Sequence, residues 1–330
     1  MMVGLQVWSP GISAFHVLPT EWFGLCRVDQ ETKWGRVVFL VLIVSVFILS
    51  RKNTPSSQPS PLPDMPWSLG AIAFIFISVK WAQRLVFVGL SGISDANVGA
   101  IGVPLITLAG LCIFFFFSLG FQKTRALFGL NHGLGLLQVL FGARWVFIYL
   151  SVLVLVSGAV GGGIENFRHG ELLQEVKGQW EVWGWLGLLF PLVADALAGP
   201  IWEELLYRGM LYSAMRQKIS TWPAILITSV IFMLAHGGDR YGAFLLGIFL
   251  GLLVEKSHSL LPAIAAHITH NLLAHVRVIP LVLSMPLTLY GDFLLGVYLV
   301  GIIGIFLVEV WIRKNRNIPF EWDSVWSVPR

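Results

Sequence analysis

The stretch Gly199-Pro200-Ile201-Trp202-Glu203-Glu204-Leu205-Leu206-Tyr207-Arg208-Gly209 sets two carboxylates and a guanidinium among residues otherwise apolar enough to be buried in a bilayer. Two further stretches share this character. One is Phe232-Met233-Leu234-Ala235-His236, and the other is His267-Ile268-Thr269-His270-Asn271. Ionisable groups at membrane depth are costly, so such residues mark functional sites. The reading of the whole chain turns on whether these three stretches meet.

The surrounding composition supports a membrane setting. Of 330 residues, 56% are hydrophobic and only 12% are charged, and the mean hydropathy is +0.77. A soluble domain carries about 25% charged residues. The fold class is therefore expected to be all-α: a polytopic transmembrane helical bundle of about eight to nine spans enclosing a polar intramembrane cavity. The net charge of +4 fits basic residues in cytoplasmic loops. No nucleic-acid-binding signature is present, and the lipid bilayer is an expected partner. Cys26 and Cys112 are far apart and form neither a disulfide framework nor a metal pair. The N-terminus has no basic region ahead of an apolar stretch, which argues against a cleaved signal peptide.

Three regions are expected. Residues 1–180 form an N-terminal transmembrane region. It holds a short apolar run at 37–49, an extended linker at 53–66 with Pro55, Pro59, Pro61, Pro63 and Pro66, and spans near 67–90, 98–121 and 134–160. Lys80 and Arg84 interrupt the first of these spans, and an acidic loop covers 163–181. Residues 181–276 form the catalytic core, with a long segment at 182–215 expected to kink or restart at Gly199-Pro200. Shorter spans follow at 222–236, 241–254 and 260–276. Residues 277–330 hold a last span at 290–312 and a cytoplasmic tail. With about nine spans, Arg51/Lys52, Lys123/Arg125, Arg216/Lys218 and Arg313/Lys314/Arg316 fall on one side and the acidic loop on the other, an N-out, C-in topology. Glu203, Glu204 and Arg208 then lie toward the cytoplasmic half. The expected location is an integral, multi-pass membrane protein, in a bacterium that of the inner cell membrane.

Spacing gives the chemistry. Glu204 and Arg208 are four apart, share a helix face and can pair. Glu203 lies about 100° round the helix, so its partners must come from another helix. Pro200 and the two glutamates also suit a helix N-terminus on electrostatic grounds alone. His267 and Asn271 share a face, with His270 flanking it. A desolvated carboxylate is more basic, which suits a general base. A histidine can help orient water, and a His/Asn pair can donate to a peptide oxygen as it becomes anionic. Glu203, His236 and His267 equally suit a divalent metal such as zinc with an open position. No His-Glu-x-x-His helix is present, and metal-activated and carboxylate-activated water both remain open.

Glu203-Glu204-x-x-x-Arg208, Phe232-x-x-x-His236 and His267-x-x-x-Asn271 together resemble the CPBP family of intramembrane proteases, which includes the CAAX prenyl endopeptidases and the bacterial Abi proteins. Leu206-Tyr207-Arg208-Gly209, Gly247, Gly251 and Ser259-Leu260-Leu261-Pro262-Ala263 add to the resemblance, which covers about residues 185–275. It implies a glutamate- or metal-dependent endopeptidase with a cavity opening to the cytoplasm and a peptide or protein substrate at the membrane. Glu203 and His236 would activate water, His267 and Asn271 would stabilise the oxyanion, and Glu204 and Arg208 would support the site. Asp195 has no place in this pattern. Some members of the family are linked to bacteriocin immunity or scaffolding, so a non-catalytic membrane scaffold is the competing expectation. Cleavage of a CAAX tail is not implied.

Overall fold

The structure is a computed structural model. It describes residues 67–93, 96–127, 135–159, 176–178, 180–181, 183–236, 240–282 and 287–316. The apolar run at 37–49, the proline-rich linker at 53–66, nearly all of the acidic loop and the tail beyond 316 lie outside these residues. Within them the chain is all-α, with no strand.

The helices are α1 (Leu69–Ile93), α2 (Ala96–Leu127), α3 (Gly135–Ala159), α4 (Trp185–Arg216), α5 (Thr221–Ala235), α6 (Arg240–Ser257), α7 (Leu261–Val282) and α8 (Leu287–Arg316). Three segments among the described residues are long and apolar enough to cross a membrane: Gly102–Ala126, Trp185–Arg216 and Asp292–Asn315. Leu69–Gln83, Gly135–Ser151 and Thr221–Ala235 are shorter apolar helices. The outward face is apolar, with Phe117 79% and Val300 73% exposed. Water would penalise such a surface, and hydrocarbon suits it. The protein is an all-α helical membrane bundle. Residues 277–282 complete α7, and 287–289 begin α8.

Helix α4 is the hub. It touches α1, α2, α5, α6 and α7, while α7 packs along α3, α6 along α5 and α1 along α2. Glycines permit the closest approaches. A Cβ on Gly142 of α3 would overlap the Pro262 carbonyl of α7. One on Gly247 of α6 would lie 2.9 Å from Ser229 Cβ of α5, and one on Gly251 would lie 3.3 Å from Ile225. Gly247 and Gly251 form a small-xxx-small face, which lets two backbones meet where there is no water to drive association. Helix α7 is started by Ser259, whose hydroxyl accepts from the Leu261 N–H at 3.1 Å, with Pro262 just inside the first turn.

Helix α4 runs on through Gly199-Pro200, and the expected restart there is a change from π to α geometry rather than a break. Ala198 keeps helical angles (φ −68°, ψ −41°). Two π-helical segments, Leu192–Ala198 and Leu205–Tyr212, flank the short α-helical piece Gly199–Glu204. Proline lacks an N–H and crowds the carbonyl four residues back. The wider π turn immediately before Pro200 relieves both problems without ending the helix.

Candidate active site

Glu204 is the buried anchor. Its Oε1 accepts from Arg208 Nη1 at 2.8 Å and from His267 Nδ1 at 2.9 Å, and the residue is wholly inaccessible. Arg208 is held at its other nitrogen, where Nη2 donates to the Gly247 carbonyl at 3.2 Å. Its guanidinium also lies 4.5 Å from the Phe232 ring centre. Four helices thus meet on one charge pair: α4, α5, α6 and α7. Removing either member would leave a buried, unbalanced charge.

Glu203 is set differently. Its Oε2 stands 3.8 Å from His236 Nε2 and 3.7 Å from His267 Nε2. Both separations exceed a direct hydrogen bond. The partners come from α5 and α7 because the glutamate faces away from the Glu204–Arg208 row of its own helix. Its side chain is 18% exposed and that of His236 is 33% exposed, so one side of the cluster is open while Glu204 and His267 are enclosed.

His236 closes α5 with extended angles (φ −100°, ψ 133°). Its Nδ1 lies 2.7 Å from the Phe232 carbonyl. A carbonyl only accepts, so Nδ1 carries the proton, and in the neutral ring Nε2 presents a lone pair toward Glu203. The same reasoning assigns the Nδ1 proton of His267, because it faces the Glu204 carboxylate. Phe232 ties the cluster together. Its ring centre is 4.2 Å from that of His236, 4.9 Å from Tyr207 and 5.8 Å from His267.

Asn271 lies one turn beyond His267 on α7. Its Nδ2 donates to the Asp195 carbonyl at 2.9 Å, and not to Glu203, His236 or His267. Asp195, unplaced by sequence, therefore sits in the first π segment with its backbone oxygen holding this amide. A π turn frees carbonyls from the regular ladder, which explains why an acceptor is available there. His270 packs its ring edge against Tyr149 at 6.0 Å, and His275 Nδ1 donates to the Asn271 carbonyl at 2.9 Å. Both lie beside the cluster.

Glu203, His236 and His267 converge, but they are not drawn together as a metal centre. Among the described residues no three His, Cys, Asp or Glu side chains stand in an arrangement that would hold a metal ion.

The three polar stretches do not include Lys80 of α1. It rests 5.1 Å from the centre of the Trp202 ring, next in sequence to Glu203. One turn earlier Phe76 meets the edge of Tyr207 at 5.1 Å. The signal in the sequence is the i, i+4 spacing of Phe76 and Lys80, with Lys80 a charge inside an apolar run.

Residues 184–273 match the family model described as Rce1-like, type II CAAX prenyl endopeptidase Rce1-like. That segment contains all three polar stretches. No curated protein and no solved structure matches the chain.

Proposed function

We propose that the chain is an intramembrane endopeptidase that cuts a membrane-associated peptide with water activated by Glu203 and His236. The observation that carries the reading is the gap between two acceptors. Glu203 Oε2 and the lone pair of His236 Nε2 are 3.8 Å apart, too far for direct bonding and suited to a water that donates to both. Such a water has its oxygen lone pairs free for attack on a peptide carbonyl.

The steps follow from proton positions. As the water oxygen bonds to the carbonyl carbon, its proton passes to Glu203. Negative charge develops on the former carbonyl oxygen. His267 Nε2, which carries a proton in the imidazolium form, and the second N–H of the Asn271 amide are the donors for that oxygen. Glu204 orients His267 through Nδ1, and Glu203 faces its Nε2 across 3.7 Å. Collapse of the tetrahedral intermediate breaks the C–N bond, and protonated Glu203 returns its proton to the departing amine. His236, kept in one tautomer by the Phe232 carbonyl, orients the water throughout.

The apolar outer surface and the three long apolar helices support a substrate presented at the bilayer. The basic loops support an N-out, C-in multi-pass arrangement with the open side of the site toward the cytoplasm. The core responsible is residues 181–276. A membrane-anchored quenched-fluorescent peptide library, incubated with purified wild type and with Glu203→Ala and His236→Ala, tests the reading. Cleavage by wild type alone is expected. Undiminished cleavage by either variant overturns the assignment.

A further inference from the structure

Lys80 projects from α1 in an apolar segment, yet among the described residues it makes neither a hydrogen bond nor a carboxylate ion pair. It faces the Trp202 ring, 5.1 Å from the ammonium to the ring centre. The indole N–H of that same ring is buried with no acceptor, and Trp202 is only 3% exposed. An ammonium and an indole N–H, both short of an acceptor, thus lie one residue before Glu203. Lys80 is also within electrostatic reach of Glu203 and His236. The placement is built by the fold: Phe76 on Tyr207 and Lys80 on Trp202 are two successive rungs between α1 and α4. Lys80 is half-buried, and Glu203 and His236 are also partly exposed.

A bare ammonium at membrane depth is costly. The cation–π contact offsets part of that cost, but it supplies no hydrogen-bond acceptor. Glu204 Oε1 already accepts from Arg208 and His267, and its Oε2, buried without a partner, forms no ion pair with Lys80. Glu203 is beyond ion-pair distance of Lys80. Among the described residues no acceptor reaches the ammonium, and an oxyanion of the substrate would supply one.

We propose that Lys80 and Trp202 form an anion subsite beside Glu203 that receives a carboxylate of the substrate peptide, either its C-terminal carboxylate or an Asp or Glu side chain. This rests on the peptidase reading for its substrate, but the subsite is supplied by α1, outside the matched segment 184–273. It makes the N-terminal region a specificity element of the core.

The test uses the full-length protein in lipid nanodiscs and three membrane-anchored fluorescent peptides of one sequence. They end in a free acid, in an amide, or in an amide following an added Asp. Binding is read by anisotropy on the Glu203→Gln variant, where turnover is blocked, alone and combined with Lys80→Met or Lys80→Arg. Cleavage is read separately on the corresponding proteins with Glu203 intact. Charge-assisted recognition predicts that the free acid binds about tenfold or more tightly than the amide. Lys80→Met should erase that preference through KM with little change in kcat, and Lys80→Arg should keep most of it. Rescue by the Asp peptide assigns the subsite to a side-chain carboxylate, and its absence assigns it to the C-terminus. Equal binding of all three peptides overturns the subsite, as does an equal loss on acid and amide in Lys80→Met. If wild type cuts nothing while the acid preference in binding still depends on Lys80, the peptidase reading falls and the subsite stands.

Discussion

His267 is gripped by Glu204: its Nδ1 donates to Glu204 Oε1 at 2.9 Å, which turns its Nε2 toward Glu203 at 3.7 Å. One imidazole therefore joins a sealed carboxylate to a partly open one. The sealed carboxylate is balanced by Arg208, so the open one is left to do chemistry.

Glu204→Ala and Arg208→Ala should each destabilise the protein by about 3–5 kcal/mol, because each leaves a buried charge without its partner. Thermal unfolding in detergent, with folded yield by size exclusion, measures this. The double variant should cost less than the sum of the singles, since the two changes remove one shared interaction. Wild-type melting of both single variants would contradict the pairing.

Glu203→Ala and His236→Ala should behave in the opposite way. Each side chain is partly exposed and lacks a direct hydrogen bond to the other, so melting should shift little. Loss of a general base or its orienting partner lowers kcat by about 10² to 10⁴-fold. Single-turnover cleavage beside thermal unfolding separates the two effects.

Asn271→Ala should fall between these classes. Its amide holds the Asp195 carbonyl at 2.9 Å, so truncation loosens α7 from the first π segment and also removes an oxyanion donor. We expect a loss of about 1–3 kcal/mol in stability together with reduced kcat. Asn271→Asp keeps the size but replaces the donor with an acceptor facing a carbonyl. It should be the more damaging change in a melting assay.

Gly142→Ala should impair folding although it adds one methyl, because the new Cβ would run into the Pro262 carbonyl. Backbone cannot swing aside as a side chain can, so a cost of about 1–3 kcal/mol or more is expected. Gly296→Ala is the control, since a methyl there would meet nothing within 4 Å. Equal melting of the two variants would show that α3 and α7 are not in contact at this point.

How much of this is legible in the sequence follows from where each interaction lives. Glu204 with Arg208 is local, set by i, i+4 spacing, and so is the exclusion of Glu203 from that row. The helical membrane class is legible from composition, because an apolar outer face is a property of the whole chain. The contact of Lys80 with Trp202 is not local, since it needs the packing of α1 on α4. The uninterrupted course through Gly199-Pro200 is hidden for another reason. The rule that proline breaks a helix assumes regular α geometry on its N-terminal side, and the Leu192–Ala198 segment departs from it. The bond from Asn271 to the Asp195 carbonyl is hidden for the same reason.

The two π segments of α4 also carry a consequence for inheritance. Each such turn accommodates extra backbone relative to regular helix, and one residue corresponds to about 100° of rotation. The angular setting of Glu203 and Glu204 toward α5 and α7 is thus encoded by residue count along Leu192–Tyr212 as much as by residue identity. Many side chains there can change without turning the carboxylates. A one-residue deletion ahead of Pro200 would swing both of them off their histidines at a stroke, so the segment should tolerate substitution far better than it tolerates a change in length.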